Sequence, residues 1–271
     1  MERITFESFG VKIAVEAEDF EIIERVRHRL AFVFGDLLQF KAIKNEDQKF
    51  EIRQAAGSEI ILRSVFTDET HPLEIEGFEK NVESLIRNRI AEMASDHVFV
   101  HAGVVAVGGQ AIVLPGSSFA GKTTLVKALV ELGAEYYSDD FAVLDSEARV
   151  LPFPKPLSVR DLEGKAVTSE VEACRLKAPI GKVPVQCGLV FITEFGVDSK
   201  WEPKALSRAE GMLRIIEHTV PVRTNTEFSL KVLNKLALRA IIAQSYRAEA
   251  DVVAVKLINY FNRKAIGMSL D

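Results

Sequence analysis

The sequence predicts an α/β protein in two parts, residues 1–96 and 97–271, and three observations predict it. Short apolar runs alternate with segments whose apolar residues fall on one helical face, so strand and helix periods take turns. Two almost wholly apolar runs, Val98–Val107 and Ala111–Leu114, stand back to back around Gly108-Gly109. A glycine-bearing segment and an amphipathic stretch follow directly, which sets strand, loop and helix in series.

In the first part, Ile4-Thr5-Phe6 and Val11-Lys12-Ile13-Ala14-Val15 alternate as half-buried strands do. Phe20, Ile23, Val26, Leu30 and Val33 recur at helical spacing. Phe50-Glu51-Ile52 and Ile60-Ile61-Leu62 read as further strands, with a turn at Gly57-Ser58. Val82, Leu85, Ile86, Ile90 and Met93 share the face of a helix leading into the second part. No catalytic pattern stands out here, so residues 1–96 read as an accessory or substrate-docking α/β lobe.

In the second part, Gly108-Gly109 is a hairpin signal between two buried strands, the second ending at Pro115-Gly116. Leu125, Ala128, Leu129 and Leu132 make the next helix face, and Gly133 suits its C-terminal end. Tyr136-Tyr137 and Phe141-Ala142-Val143-Leu144 have strand character on either side of Ser138-Asp139-Asp140. Three prolines in Val150–Arg160 predict an extended, irregular path. Gly188–Phe195 reads as a buried strand. A long helix is expected over Leu230, Leu233, Leu236, Ala240 and Ile241, and a last one over Ala250–Phe261.

Composition narrows the function classes. Of 271 residues, 48% are hydrophobic and 27% charged, an ordinary globular balance that supports a large core. The net charge of -5 argues against nucleic acid as a partner. Cys174 and Cys187 lack metal-ligand spacing and read as small apolar residues in a reduced compartment. The opening residues carry no signal-peptide apolar run, and no apolar stretch reaches the ~18–20 residues that cross a bilayer, so a cytoplasmic location without membrane contact is expected.

The chemistry concentrates at Gly116-Ser117-Ser118-Phe119-Ala120-Gly121-Lys122-Thr123, which fits the phosphate-loop pattern G-x-x-x-x-G-K-[ST]. The two glycines permit backbone turns closed to other residues and bring N–H groups against phosphate oxygens. The helix that opens at Lys122 points its free N–H groups at the same anion, with Thr124 in its first turn. Lys122 supplies a mobile cation and Thr123 a hydroxyl for a divalent metal. ATP with Mg2+ is therefore the expected cofactor. Ser138-Asp139-Asp140, after the next strand, offers the carboxylates such chemistry requires. By itself His101 reads as a hydrogen-bonded core residue, and His28, His71, His97 and His218 as surface or structural.

His101-Ala102-Gly103, the loop Gly116–Thr123 and Ser138-Asp139-Asp140 form an ordered set that resembles the catalytic domain of HPr kinase/phosphorylase. The likeness is strongest over residues 98–161. Arg223 with Leu230–Leu236, and Tyr246-Arg247-Ala248-Glu249-Ala250, are similar to the C-terminal region of shorter HPr-kinase-like proteins. The resemblance implies a P-loop nucleotide-binding core of the HPr kinase/PEP carboxykinase type. It also implies that Asp139 is the general base assisted by His101 and that Asp140 binds the metal with Thr123, although the two aspartates can be exchanged. Homo-oligomers are implied by analogy alone. The family's glutamate-x-arginine-glycine signature becomes Ser158-Val159-Arg160-Asp161, which retains Arg160 as a phosphate contact and leaves Glu194 as a substitute acid. Phe119-Ala120 also replaces the family's small Ser-Gly, and residues 1–96 do not match its N-terminal regulatory domain.

The expected activity is an ATP-dependent kinase that phosphorylates a serine hydroxyl of a protein, peptide or small molecule. The alternative is a nucleotide-binding regulatory module with little catalysis, for which Ser158 in place of glutamate is the supporting feature. No arginine finger or water-positioning acidic strand supports a motor ATPase.

Overall fold

Alternation of apolar and charged residues makes the first unit, Met1–Asp96, a sheet with one oily and one ionic face. Its elements are β1 (Glu2–Ser8), β2 (Val11–Ala17), α1 (Phe20–Phe34), β3 (Gln39–Phe40), β4 (Gln48–Gln54), β5 (Glu59–Ser64), β6 (Glu69–Glu74) and α2 (Phe78–Met93). The strand order is β3-β1-β2-β4-β5-β6, antiparallel throughout except for the parallel pair β2–β4, which α1 connects. Phe6, Ile13, Phe50, Ile52, Ile60 and Leu62 are buried. Between them, outward residues form ion pairs across strands, Arg3 with Glu16 at 2.8 Å and Lys49 with Glu16 at 2.9 Å. Asp19 caps α1 by accepting the Glu21 N–H at 2.6 Å. Helix periodicity put Phe20 on the inner face, but as the first helical residue it is 64% exposed. The buried Glu83 carboxylate is met by Arg87 of its own helix at 2.6 Å and by Arg29 of α1 at 3.3 Å. A carboxylate out of water requires such partners.

The computed structural model describes residues 1–55, 57, 59–116, 121–160, 167–171, 178–196 and 199–268. Ser58 of the expected turn, and Cys174, lie outside them.

The second unit, His97–Asp271, is built on an eight-stranded mixed sheet. Its strands are β7 (Val98–Val107), β8 (Gln110–Pro115), β9 (Glu135–Ser138), β10 (Phe141–Leu144), β11 (Arg149–Leu151), β14 (Val185–Phe195), β15 (Lys204–Ala205) and β16 (Ile241–Arg247). A separate hairpin pairs β12 (Leu157–Arg160) with β13 (Val167–Val171), so the proline-bearing stretch is partly strand. The helices are α3 (Lys122–Glu131), α4 (Arg208–Ile216), α5 (Thr226–Arg239) and α6 (Ala250–Met268). Gly108 and Gly109, with φ of 58° and 77°, make the tight turn of the β7–β8 hairpin.

Strand β8 runs parallel to β14, and β14 parallel to β16, so their carboxyl ends share one edge. Leu125 and Leu129 of α3 pack with Leu257 and Phe261 of α6 on one face of the sheet. Ile215 of α4 and Val232, Leu233 and Leu236 of α5 cover the other. Each such side chain taken fully out of water contributes about 1.5–3 kcal/mol. One expectation fails here: the long helix ends at Arg239, and Ile241 opens strand β16. Its pairing with Leu189 onward along β14 overrides the helical spacing that continues through Ala240 and Ile241. Among the described residues, no helix is long and apolar enough to cross a membrane.

Candidate functional site

The candidate site forms at the shared strand edge, where β8 passes into the N-terminus of α3. Gly121 holds φ of 72° immediately before the helix, a left-handed conformation that costs a side-chain-bearing residue free energy. It is required for a second reason: a Cβ there would collide with the guanidinium of Arg247. Among the described residues no side chain caps the N-terminus of α3, and its first turn holds no acidic residue. The amides and dipole of a helix's first turn suit an anion in general. Farther along, Gly103 of β7 lets the helix settle onto the sheet, since a Cβ there would lie 2.5 Å from Val126 Cγ2.

Lys122 Nζ reaches back to the Gly116 carbonyl at 2.8 Å. Burial pushes this ammonium below its ordinary value, and the charge of Asp139 opposes the shift. Thr123 Oγ1 lies 3.4 Å from Asp139 Oδ2. Asp139 is 7% exposed, whereas Asp140 is half-buried. Their turn is held by Ser138, whose buried hydroxyl accepts the N–H groups of Asp140 at 3.2 Å and Phe141 at 3.1 Å. The Asp140 carbonyl accepts from Ala102 N, and the His101 carbonyl accepts from Gly116 N at 3.2 Å. Strand β7 therefore ties the acidic turn to the loop. The His101 ring packs on Phe141, with centroids 4.5 Å apart.

Two further residues, neither given a site role from the sequence, belong to this site. Arg247, at the end of β16, is 2% exposed and donates through Nη2 to the Gly121 carbonyl at 2.9 Å. Its guanidinium also sits 5.4 Å from the centre of the Phe195 ring. His218, read from sequence as surface or structural, follows α4, and its carbonyl accepts from His101 N at 2.8 Å. Burial lowers the His218 pKa; Glu217 opposes this, while Lys122 and Arg214 add to it. The imidazole is thus within electrostatic reach of the loop lysine. The resemblance over Tyr246-Arg247-Ala248-Glu249-Ala250 was the available signal for Arg247, and it assigned that residue no role. His218 had none, because its position depends on tertiary packing.

No family model matches the sequence, and no curated protein matches it.

The structure brings together Gly116, Gly121, Lys122, Thr123, Asp139, Asp140 and His101, with Thr124 exposed in the first turn of α3. Ser117, Ser118, Phe119 and Ala120 lie outside the described residues, as does Asp161. Arg160 ends β12, and its side chain also lies outside the description. Glu194 is 62% exposed at the tip of β14, 3.8 Å from Arg214. Cys187 is buried, and burial pushes its thiol up to about 12, so it has no reactive thiolate. Among the described residues, no three His, Cys, Asp or Glu side chains cluster to hold a metal. Magnesium needs no such cage: it commonly takes one or two carboxylates with phosphate oxygens and water. The Thr123–Asp139 pair beside a helix N-terminus suits that arrangement.

Proposed function

We propose that this chain binds a nucleoside triphosphate, ATP, with magnesium and passes its γ-phosphoryl group to a serine-type hydroxyl, on a P-loop core of the HPr kinase type. One observation carries the reading: the first turn of α3 holds both the half-buried Lys122, whose Nζ turns back to the Gly116 carbonyl, and Thr123, whose hydroxyl lies 3.4 Å from the buried Asp139. Phosphoryl transfer asks for positioning and charge neutralisation more than for covalent chemistry, and these groups provide both.

When bound, the metal neutralises charge on the phosphate oxygens. Thr123 and Asp139 are the residues that would hold it, because they lie side by side. Asp140, the next residue and more exposed, is then left to take the proton of the acceptor hydroxyl. This exchanges the two roles that the resemblance implied. Lys122 and the first-turn amides of α3 bind phosphate oxygens. Arg247 keeps Gly121 in place and adds a fixed positive charge. His101 acts as a positioning residue, since its backbone joins the loop to the His218 segment and its ring supports Phe141.

The deciding experiment pairs Asp139→Asn with Asp140→Asn. The reading expects Asp139→Asn to weaken the magnesium-dependent part of nucleotide binding. Asp140→Asn should bind nucleotide normally and lose turnover. Full turnover in Lys122→Ala would sink the assignment. The regulatory-module reading is kept by Ser158, where the family has glutamate; wild-type binding of ATP with neither transfer nor hydrolysis would favour it.

A further inference from the structure

A cleft of about 400 Å³ opens at the same strand edge, on the side of the sheet that carries α4. Ile192 and Glu194 of β14, Gln244 and Tyr246 of β16, Lys204 of β15 and Arg214 of α4 line it, together with Glu202. We propose that this cleft is the acceptor pocket and that it receives a small zwitterion bearing a hydroxyl, a hydroxy amino acid; the proposal rests on the phosphoryl-transfer reading above.

Position is the first argument. Tyr246 on the cleft wall immediately precedes Arg247, which grips the Gly121 carbonyl at the head of α3. Glu194 is the register partner of Tyr246. The cleft and the phosphate site thus share the tips of two adjacent strands. The His218 backbone joins the end of α4, the helix of Arg214, to strand β7: its N–H donates to the Ile215 carbonyl at 3.0 Å and its carbonyl accepts from His101 N at 2.8 Å.

The second argument is size and construction. The volume lies in the range of pockets that enclose small molecules, roughly 300–1,000 Å³. A folded protein partner would ordinarily cover about 800 Å² of surface instead. The backbone of the walls is packed and hydrogen-bonded. Gly211 lets α4 press against β16, because a Cβ there would lie 2.6 Å from Ile242 Cδ1, and Arg214 follows one turn later on the same helix. Strand β15 pairs Lys204 with Gln244. The Glu202 N–H donates to Ser245 Oγ at 3.0 Å, which anchors the acidic wall.

Charge supplies the third argument. Basic Lys200, Lys204 and Arg214 line the same cleft as acidic Glu194 and Glu202, with polar Gln244 and Ser245 beside them. The Arg214–Glu194 pair is long, at 3.8 Å, with side chains 41% and 62% exposed. Such a pair contributes little and can be exchanged for ligand charges at small cost. A ligand carboxylate then pairs with Arg214 or Lys204, and a ligand ammonium with Glu202 or Glu194. This fixes the hydroxyl between them toward the strand tips. In the transfer, the hydroxyl oxygen forms the new bond to the γ-phosphorus of the nucleoside triphosphate, the bond to the β,γ-bridging oxygen breaks, and the diphosphate leaves. The hydroxyl proton passes to Asp140.

The test is calorimetric titration of the full chain with magnesium and a non-hydrolysable β,γ-imido ATP analogue, then with L-serine, L-threonine or L-homoserine. Ethanolamine, glycerate and N-acetyl-L-serine serve as probes lacking one ligand charge. The analogue should bind, and at least one amino acid should bind saturably. Each single-charge probe of the best binder should be about tenfold weaker or more. Arg214→Ala and Glu202→Gln should each weaken amino-acid binding about tenfold, with Arg214→Lys intermediate. Binding of the analogue without any of the three amino acids would overturn the acceptor proposal alone. So would ethanolamine or N-acetyl-serine binding as tightly as the amino acid, the second pointing to a peptide acceptor. Failure of the analogue itself to bind would instead overturn the nucleotide reading, and this proposal with it.

Discussion

Two groups of charges near opposite ends of β14 differ in burial. At its carboxyl end, Arg247, Asp139 and Lys122 are buried or half-buried. At its amino end, a larger cavity of about 590 Å³ is lined by Glu147, Arg149 and Arg239 with Gln110 and Gln186. There the charges are exposed and paired: Glu147 with Lys235 at 2.8 Å, and Arg149 with Asp145 at 2.7 Å. Cavity size alone would choose the amino end. The cost of holding charge away from water chooses the other, because buried ions persist only where structure or function requires them.

Mutations can break or sharpen this contrast. Lys122→Ala should have the largest effect, lowering transfer by about a hundredfold or more, as expected for loss of a group that stabilises developing charge; stopped assays of phosphate transfer measure it. Arg247→Met should weaken nucleotide binding about tenfold in a fluorescent-nucleotide titration. The same variant should melt within a few degrees of wild type, because removing a buried cation relieves desolvation as it loses contacts. Ser138→Ala deprives two amides of the acidic turn of their acceptor and should cost about 1–3 kcal/mol in urea unfolding.

Smaller still is the pH effect of His218. Its folded pKa lies below the unfolded value, so the unfolded chain takes up the proton first as pH falls. The stability associated with the neutral ring is present above about pH 6.5 and is lost as pH drops through the lowered folded value. Against wild type, His218→Gln should therefore lose less melting temperature on acidification. The smallest effect belongs to the amino end, where Arg149→Ala with Arg239→Ala should leave nucleotide binding within about twofold, as expected of exposed ion pairs. A large loss there would break the contrast between the two ends.

Much of the loop end was legible in the sequence because its determinants are local. Gly121, Lys122 and Thr123 are consecutive, and the apolar run before them and the helical face after them have unambiguous periods. The acidic turn was legible for the same reason, with Ser138 bonding amides two and three residues ahead. What could not be read depends on distant pairing. Ile241 continued the helical spacing of α5, and only its alignment with Leu189 makes it a strand residue. Arg247 reaches Gly121 across 126 positions of chain. That Asp139, and not Asp140, lies beside the Thr123 hydroxyl likewise required a distance.

The most direct test of the central claim is a single-turnover experiment with γ-labelled ATP and magnesium, wild type beside Asp140→Asn, with a cell extract and L-serine offered as acceptors. The account predicts label on a defined hydroxyl compound with wild type, and bound but untransferred nucleotide with the variant. Equal transfer by the two proteins would contradict it, as would wild-type protein that holds no nucleotide.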